Sequence, residues 1–212
     1  LALALLTIAA VALPACREQT SGAPSVLVIG DQPRLRDPAA GPLSAPDAAL
    51  LSTVAQGLVR FDPAGNVIGG LAERWNVSDD GVSYIFRIAS TEWPDGRKIT
   101  AQQVARALKR QLASRSDNAL KDSLGAVEDV VAMTDRVIEI RLKTPRPNLL
   151  ALLAQPELAI LRDGHGTGPF EIAESPQGED RLHLIREFES DDGEPVPREE
   201  LWLDGVRGGE AG

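Results

Sequence analysis

The sequence predicts a mixed α/β fold, in which helices pack on a sheet of mixed strands, and three observations lead to this class. Asp79-Asp80-Gly81 lies between two segments of alternating apolar and polar residues, which is typical of a β-hairpin. Thr100 and Gln103 have the spacing of a capping box, and a helical apolar stripe follows them. Residues 127–132 and 136–142 alternate on either side of a short polar turn, which predicts a further hairpin.

The N-terminal part of the predicted domain is a strand followed by a helix. Residues 25–30 predict the strand, and a loop rich in Pro and Gly comes next. Ser44 is predicted to cap the helix, because Pro46 lies in the first turn and Asp47 stands at the third position. A short strand is predicted at residues 58–61, before a turn. On the helix that Ser44 caps, we expect the apolar stripe at Ala48, Leu51, Val54 or Ala55, and Leu58. Gly57 is expected to end this helix.

The central stretch, residues 71–108, contains the first hairpin and the capped helix. Trp75 and Val77 alternate with polar neighbours, which predicts a half-buried strand. Pro94-Asp95-Gly96 predicts a turn between the hairpin and the helix. The second strand is expected to bury Val82, Tyr84, Phe86 and Ile88 and to turn Ser83 and Arg87 the other way. The helix is expected to bury Ala101, Val104, Ala105, Leu108 and Leu112.

The C-terminal part adds a helix and two strands. Residues 148–154 are apolar nearly all round, so we expect a buried helix there. Residues 181–188 alternate as a strand does, and residues 201–206 predict a last strand. In the second hairpin, the buried face is expected at Ile138, Ile140 and Leu142.

Charge and composition exclude several kinds of site. The net charge is −9, with 31 acidic and 22 basic residues, which argues against a phosphate-binding surface and a nucleic-acid partner. A single cysteine excludes an internal disulfide, and His165 and His183 are too far apart for a histidine-based metal site. The sequence therefore predicts no metal and no cofactor.

The N-terminal residues resemble an export signal. Residues 1–15 carry no charge, and their apolar run is shorter than the roughly 20 residues that span a bilayer, which fits the central region of a secretory signal peptide. Because neither a start Met nor a basic segment precedes Leu1, we expect the N-terminus to be incomplete. Leu13-Pro14-Ala15-Cys16 resembles the bacterial lipobox, which implies a diacylglycerol on Cys16 and a lipidated tether at residues 16–24. A small buried Cys16 is the alternative.

The motifs of the central stretch, taken in order, resemble the extracytoplasmic solute-binding proteins of family 5, the oligopeptide-, dipeptide- and nickel-binding proteins of ABC importers. Ile88-Ala89 replaces the usual Leu-Arg of that family, and Gln103 replaces its usual Asp. The family's connection before G-T-G-P is shortened here to LRDGH, at residues 161–165. The matching segments are QGLVRFDPAG, LAERW, SDDGVSYIFRI, WPDG, ITAQQV and GTGPF.

The resemblance implies a periplasmic-binding-protein-like α/β fold of type II, cluster C. It implies a partial solute-binding domain at residues 25–212, with a first-lobe core at about 25–58 and 166–207. Residues of about 59–161 would form a hairpin-rich subdomain. The second lobe of the family lies beyond the matching part, so we expect this sequence to be a fragment at both ends.

The resemblance also implies where a ligand lies. In the family, residues just past an L-D-P element line the cleft, and this places Leu43 and Ser44 near a ligand. The loop after the helix at residues 148–154 contributes as well, which makes Gln155 and Glu157 candidates. The alternative is that both segments are plain surface loops, with Ser44 serving only as a helix cap.

The implied function is the capture of a peptide or similar small solute and its delivery to an ABC permease. The resemblance further implies a monomer in the periplasm or cell envelope, which a lipid on Cys16 anchors to the membrane. An extracytoplasmic hydrolase is one alternative, but the sequence has no G-x-S-x-G or H-E-x-x-H motif. A one-lobe lipoprotein with a structural role is another. The glycine-rich segment at residues 164–168 has neither the lysine of a P-loop nor the glycine spacing of a Rossmann fold, which argues against phosphate binding. His165, in the same segment, has no evident catalytic partner.

Overall fold

The computed structural model describes residues 23–173, 181–188 and 198–207. The predicted signal peptide, Cys16 and nearly all of the predicted tether lie outside these residues. Within the described part of the chain, no helix is long and apolar enough to cross a membrane. The helices are α1 (Ala45–Val54), α2 (Ala101–Leu112) and α3 (Leu149–Leu153). The strands are β1 (Ser25–Ile29), β2 (Val59–Phe61), β3 (Val67–Gly69), β4 (Ala72–Val77), β5 (Ser83–Ile88), β6 (Val127–Thr134), β7 (Val137–Leu142), β8 (Glu171–Ile172), β9 (Leu182–Glu187) and β10 (Arg198–Val206).

The first sheet joins the two ends of the described chain, in the order β1-β10-β9-β8. β1 runs parallel to β10, and the remaining neighbours are antiparallel. Leu184 and Leu203 on the sheet pack with Leu50 and Val54 of α1, which covers one face. β1 is an edge strand, and its Ile29 is 79% exposed. The two strands predicted at 181–188 and 201–206 are confirmed, although β10 begins earlier than expected.

The second sheet has the order β4-β5-β7-β6, and both predicted hairpins are confirmed. Gly81 has φ 69°, which is the left-handed conformation that an Asp-Gly turn requires. Most residues of the expected faces are buried, but Val82 precedes β5 and is only half-buried, as is Leu112 at the end of α2. α2 packs across β6 and β7. Val77 was expected to be half-buried, but it is 43% exposed because β4 is an edge strand. The fully buried residues of this sheet include Phe86, Ile88, Ile138 and Ile140.

The capping box at the start of α2 is confirmed and has a second role. The Thr100 side chain accepts a hydrogen bond from the Gln103 N–H, and Gln103 Oε1 accepts one from the Thr100 N–H at 3.1 Å. The same Oε1 accepts the indole N–H of Trp93 at 3.1 Å, and Trp93 is 3% exposed. One side chain therefore caps the helix and satisfies a buried donor in the turn before it.

Two helices differ from the sequence-based expectation. α1 ends at Val54, and Ala55 is already extended at φ −140°, so Gly57 does not close the helix. The predicted stripe also missed Leu50, which is fully buried because α1 lies between two apolar clusters rather than against one. α3 is only five residues long and buries Leu149 and Leu153, whereas the residues between them are half-buried. The expectation of all-round burial was therefore wrong.

The glycine-rich segment returns the chain to the first sheet by a close backbone contact. Gly168 N–H donates to the carbonyl of Val54 at 2.9 Å. A Cβ on Gly168 would lie 2.3 Å from the Val54 carbonyl carbon, and one on Gly166 would lie 2.4 Å from the Val54 oxygen. Both glycines are needed for this close approach and not for an unusual φ. Within this segment, only Gly164, at φ 78°, uses the conformational freedom of glycine.

Gly168→Ala should therefore destabilise the fold by about 1–3 kcal/mol, because the new methyl group must push two backbone segments apart. Gly125→Ala is the matched control, since Gly125 has φ −60° and its new Cβ would lie 3.2 Å from one carbonyl oxygen. Urea unfolding measured by circular dichroism compares the two variants. Equal stability of Gly168→Ala and the unmodified chain would contradict the close packing.

Gln103→Ala should lower the free energy of unfolding by about 1–3 kcal/mol, because it leaves the buried indole N–H of Trp93 without its acceptor. Gln102→Ala is the control at the adjacent helix position, where the side chain bonds only to exposed Asp135. Both changes alter helix propensity equally, so the difference between their urea midpoints measures the two hydrogen bonds that Gln103 accepts, from Trp93 and from the Thr100 N–H. A difference near zero would show that water replaces the lost acceptor.

Candidate functional site

Three loop segments that are distant in sequence meet on one rim of the molecule: residues 37–44, 114–121 and 155–158. The carbonyl of Ala39 accepts hydrogen bonds from the Asp117 N–H at 3.0 Å and from Ser116 Oγ at 3.4 Å. Asn118 Nδ2 donates to the backbone carbonyl of Glu157 at 2.7 Å. The middle segment therefore holds the other two together. We call this assembly the loop rim.

The structure assigns structural contacts to the first pair of predicted ligand residues. Ser44 Oγ accepts a hydrogen bond from the Asp47 N–H at 3.2 Å, which confirms it as the N-cap of α1. Leu43 packs against the small apolar cluster that contains Leu51 and Ala159. Both residues lie on the loop rim, but their side chains are engaged in holding it. Whether either residue contacts a ligand remains a prediction.

The second predicted pair lies on a 3-10 turn, Pro156–Leu158, at the other side of the loop rim. Gln155 Nε2 donates to the Ala151 carbonyl at 3.3 Å, and its side chain lines a cavity of about 210 Å³ beside Gln56 and Arg60. The carboxylate of Glu157 makes no ion pair or hydrogen bond with a described residue. Glu157 is half-buried and can therefore receive a positively charged group at little desolvation cost.

Sequence reasoning missed the residues that assemble the loop rim. Residues 115–125 form a mostly polar stretch of the sequence, yet Ser116 is 3% and Asn118 5% exposed. Asn118 also caps its own turn, accepting the Leu120 N–H at 2.9 Å. A polar loop carries no periodic signal, and so nothing in the sequence distinguishes a buried Asn from a solvated one.

A charged groove lies beside the Pro94-Asp95-Gly96 turn. The guanidinium of Arg162 stacks over the Trp93 ring, 4.9 Å from its centroid, and also pairs with Asp95. A hydrogen bond from Arg97, and the charges of Arg97 and Arg162, hold the pKa of Asp95 below its usual value. Asp95 is therefore ionised at neutral pH. His165 lines a 370 Å³ cavity at this groove, together with Trp93 and Arg162.

His165 is exposed, and its backbone pairs with that of Arg162 through two hydrogen bonds of 2.9 Å. No nucleophile stands beside its ring in a contact that the structure records. Among the described residues, no group of three or more His, Cys, Asp or Glu side chains is placed to hold a metal ion. The groups that the described residues present at this groove form ion pairs and hydrogen bonds.

Comparison with known proteins identifies the family of the chain. The sequence model of the bacterial extracellular solute-binding proteins, family 5 Middle, matches residues 66–189, which is more than half of the chain. A probable deoxycholate-binding periplasmic protein of Escherichia coli K12, YgiS, is 30% identical over 129 residues, covering 52% of this chain and 24% of that protein. The dipeptide-binding protein DppE of Bacillus subtilis 168 is 27% identical over 122 residues, covering 50% and 22%. The matched part thus spans about a quarter of these relatives' length.

Solved structures show the same fold over most of the chain. The murein tripeptide binding protein MppA of Escherichia coli aligns with a TM-score of 0.71 at 19% identity, over 86% of this chain and 42% of that chain. AgaA of A. tumefaciens R10, solved with agropinic acid, aligns with a TM-score of 0.67 at 19% identity, over 85% and 39%. The predicted α/β, periplasmic-binding-protein-like fold of type II is confirmed. The chain belongs to family 5 of the bacterial extracellular solute-binding proteins.

Proposed function

We propose that this protein is the extracytoplasmic substrate-binding component of an ABC importer, which captures a peptide or similar small solute and delivers it to a membrane permease. The observation that carries the proposal is the family match over residues 66–189. It is supported by the names of several relatives, which describe peptide, dipeptide or glutathione binding. A family of solute-binding proteins favours this role over the hydrolase considered from the sequence.

The loop rim is the part of the described chain that we propose to face the solute. Its polar groups come from loops on a rigid α/β scaffold, the usual arrangement for a binding site. Gln155 and Glu157 would make direct contacts, because the Glu157 carboxylate has no described partner and Gln155 borders a cavity. Leu43 and Ser44 would contribute from the other side, where they fix the start of α1.

We further propose that the described segments form a lobe core, at about residues 25–58 and 166–207, and a subdomain at about 59–161. In this proposal, a second lobe of the whole protein closes over the solute by a hinge motion, as in other periplasmic binding proteins. The charge on Glu157 suits the ammonium group of a peptide N-terminus. A monomer bound to permease subunits would be the working unit.

We also propose that the protein is held at the membrane of the periplasm or cell envelope through a lipid on Cys16. Support comes from the apolar run before it and the Leu-Pro-Ala-Cys pattern. Each buried methylene of an acyl chain contributes about 0.8 kcal/mol, so two or three chains anchor a protein firmly.

Cys16→Ser should abolish acylation, because the serine cannot form the thioether. Cells that express the chain behind a start codon and a basic leader segment are labelled with radioactive palmitate, and the protein is followed in membrane and soluble fractions. Label and membrane retention should both disappear in Cys16→Ser and persist in Ser25→Ala. Unlabelled protein in both variants would contradict the anchor.

Glu157→Gln should weaken binding of short peptides with a free N-terminus about tenfold, since a charge-assisted hydrogen bond contributes about 1.5–3 kcal/mol. Acetylated versions of the same peptides should bind equally to both proteins. Calorimetric titration with a set of di- to pentapeptides measures this. Glu128→Gln is the control, because it removes an exposed carboxylate on β6. Failure of every peptide to bind the whole protein, second lobe included, would contradict the peptide class.

A further inference from the structure

A further cavity, of about 530 Å³, touches the loop rim only at Asp37 and contains none of the four predicted ligand residues. It is bounded by the loop after β1, by one face of α2 and by residues 160–164. Its volume falls within the range of roughly 300–1,000 Å³ that small-ligand sites occupy. We call it the α2 groove.

The floor of the α2 groove is rigid and largely apolar. Trp93 and Ile160 are almost fully buried, and Leu35 and Leu161 border the same space. Trp93 is fixed by its hydrogen bond to Gln103 and by the guanidinium stacked over its ring. An apolar ligand group placed here would meet a surface that needs no rearrangement to receive it.

One face of α2 supplies the polar wall. Gln103, Arg106, Ala107 and Arg110 follow one another at helical spacing and all line the groove, whereas the opposite stripe of the helix packs on the second sheet. The small Ala107 leaves room between the two arginines. These guanidinium groups are therefore presented on a helix whose position is fixed by its buried face.

The groove has more hydrogen-bond donors than acceptors. Arg106 is exposed and makes no ion pair with any described residue. Nη1 of Arg162 is buried and has no hydrogen-bond partner among the described residues. Asp37 is already engaged, since it pairs with Arg110 at 3.0 Å and accepts the Ala39 N–H at 3.0 Å. The unsatisfied groups at this site are therefore cationic donors.

We propose that the α2 groove binds a small monocarboxylate with an apolar body. The carboxylate would take hydrogen bonds from Arg106 and from Nη1 of Arg162, and the apolar body would lie against Leu35 and Leu161. A carboxylate fits better than a phosphate, because Asp37 and Asp163 at the edges would repel a second negative charge. This site shares Asp37 with the loop rim but none of the four residues proposed to contact the solute, and it does not depend on that proposal.

The test is a calorimetric titration of the full chain at low ionic strength with three probes of graded charge. N-acetyl-L-leucine carries the carboxylate and an isobutyl group, and N-acetyl-L-leucinamide has the same shape without the charge. Inorganic phosphate carries charge without an apolar body. We expect N-acetyl-L-leucine to bind at least tenfold more tightly than either of the other two. Equal binding of the amide, or preferred binding of phosphate, would overturn the proposal.

The variant Arg106→Gln locates the binding. It should weaken N-acetyl-L-leucine binding about tenfold, by the loss of one charge-assisted hydrogen bond. Arg74→Gln removes the same charge from an exposed position on β4 that does not line the groove, and it should leave binding unchanged. Equal weakening in both variants would show that only net charge matters and would overturn the proposal, as would no effect of Arg106→Gln.

Two further variants separate this result from the peptide site. Arg162→Lys keeps the charge but removes the unpartnered Nη1, so it should also weaken N-acetyl-L-leucine binding. The thermal midpoint of this variant shows whether the protein is still folded. Glu157→Gln should leave N-acetyl-L-leucine binding unchanged. If peptides bind and N-acetyl-L-leucine does not, the α2 groove proposal fails while the function proposed for the loop rim stands.

Discussion

The contact between the glycine segment and the end of α1 is the constraint on which most of this architecture depends. Between α1 and Gly166 the chain makes a long excursion through the second sheet, α2 and α3. The hydrogen bonds from Gly168 to Val54 and from Phe170 to Thr53 bring it back, so that β8, β9 and β10 can form beside β1. Closing so large a loop has an entropic cost that the buried contacts of the first sheet must offset. Glycine is required because backbone lies directly on backbone, with no room for a Cβ.

Local features of the fold could be predicted from the sequence, because their causes lie within a few residues. The alternation of Tyr84 and Phe86, the left-handed Gly81 and the reciprocal bonds of Thr100 and Gln103 each follow from neighbouring residues alone. The buried residues of α1 could not be predicted in the same way. The helix packs against two apolar clusters that come together only in three dimensions, and for this reason Leu50 did not fit a single apolar stripe.

The proposed binding surface was even less accessible to sequence reasoning than the fold. The family resemblance directed attention to Gln155 and Glu157, and the structure places them on the same loop rim as Leu43 and Ser44. It also shows why a motif search could not find Asn118, Arg106 or Arg162. Asn118 bonds to the backbone carbonyl of Glu157, Arg162 lies over the Trp93 ring, and Arg106 lines the same cavity as Arg162. None of these neighbours is adjacent in sequence.

The parallel pairing of β1 with β10 also determines the order in which the protein can fold. β1 is the first described strand to leave the ribosome, and its partner is the last. The second sheet combines two hairpins with the longer-range pairing of β5 and β7, and it can form once β7 has been synthesised. The first sheet must wait, and during that time the backbone of β1 lacks its hydrogen-bond partner strand, β10. Such a nascent chain stays incompletely folded until its far end arrives, and until then its first strand is open to non-native pairing or capture by a chaperone.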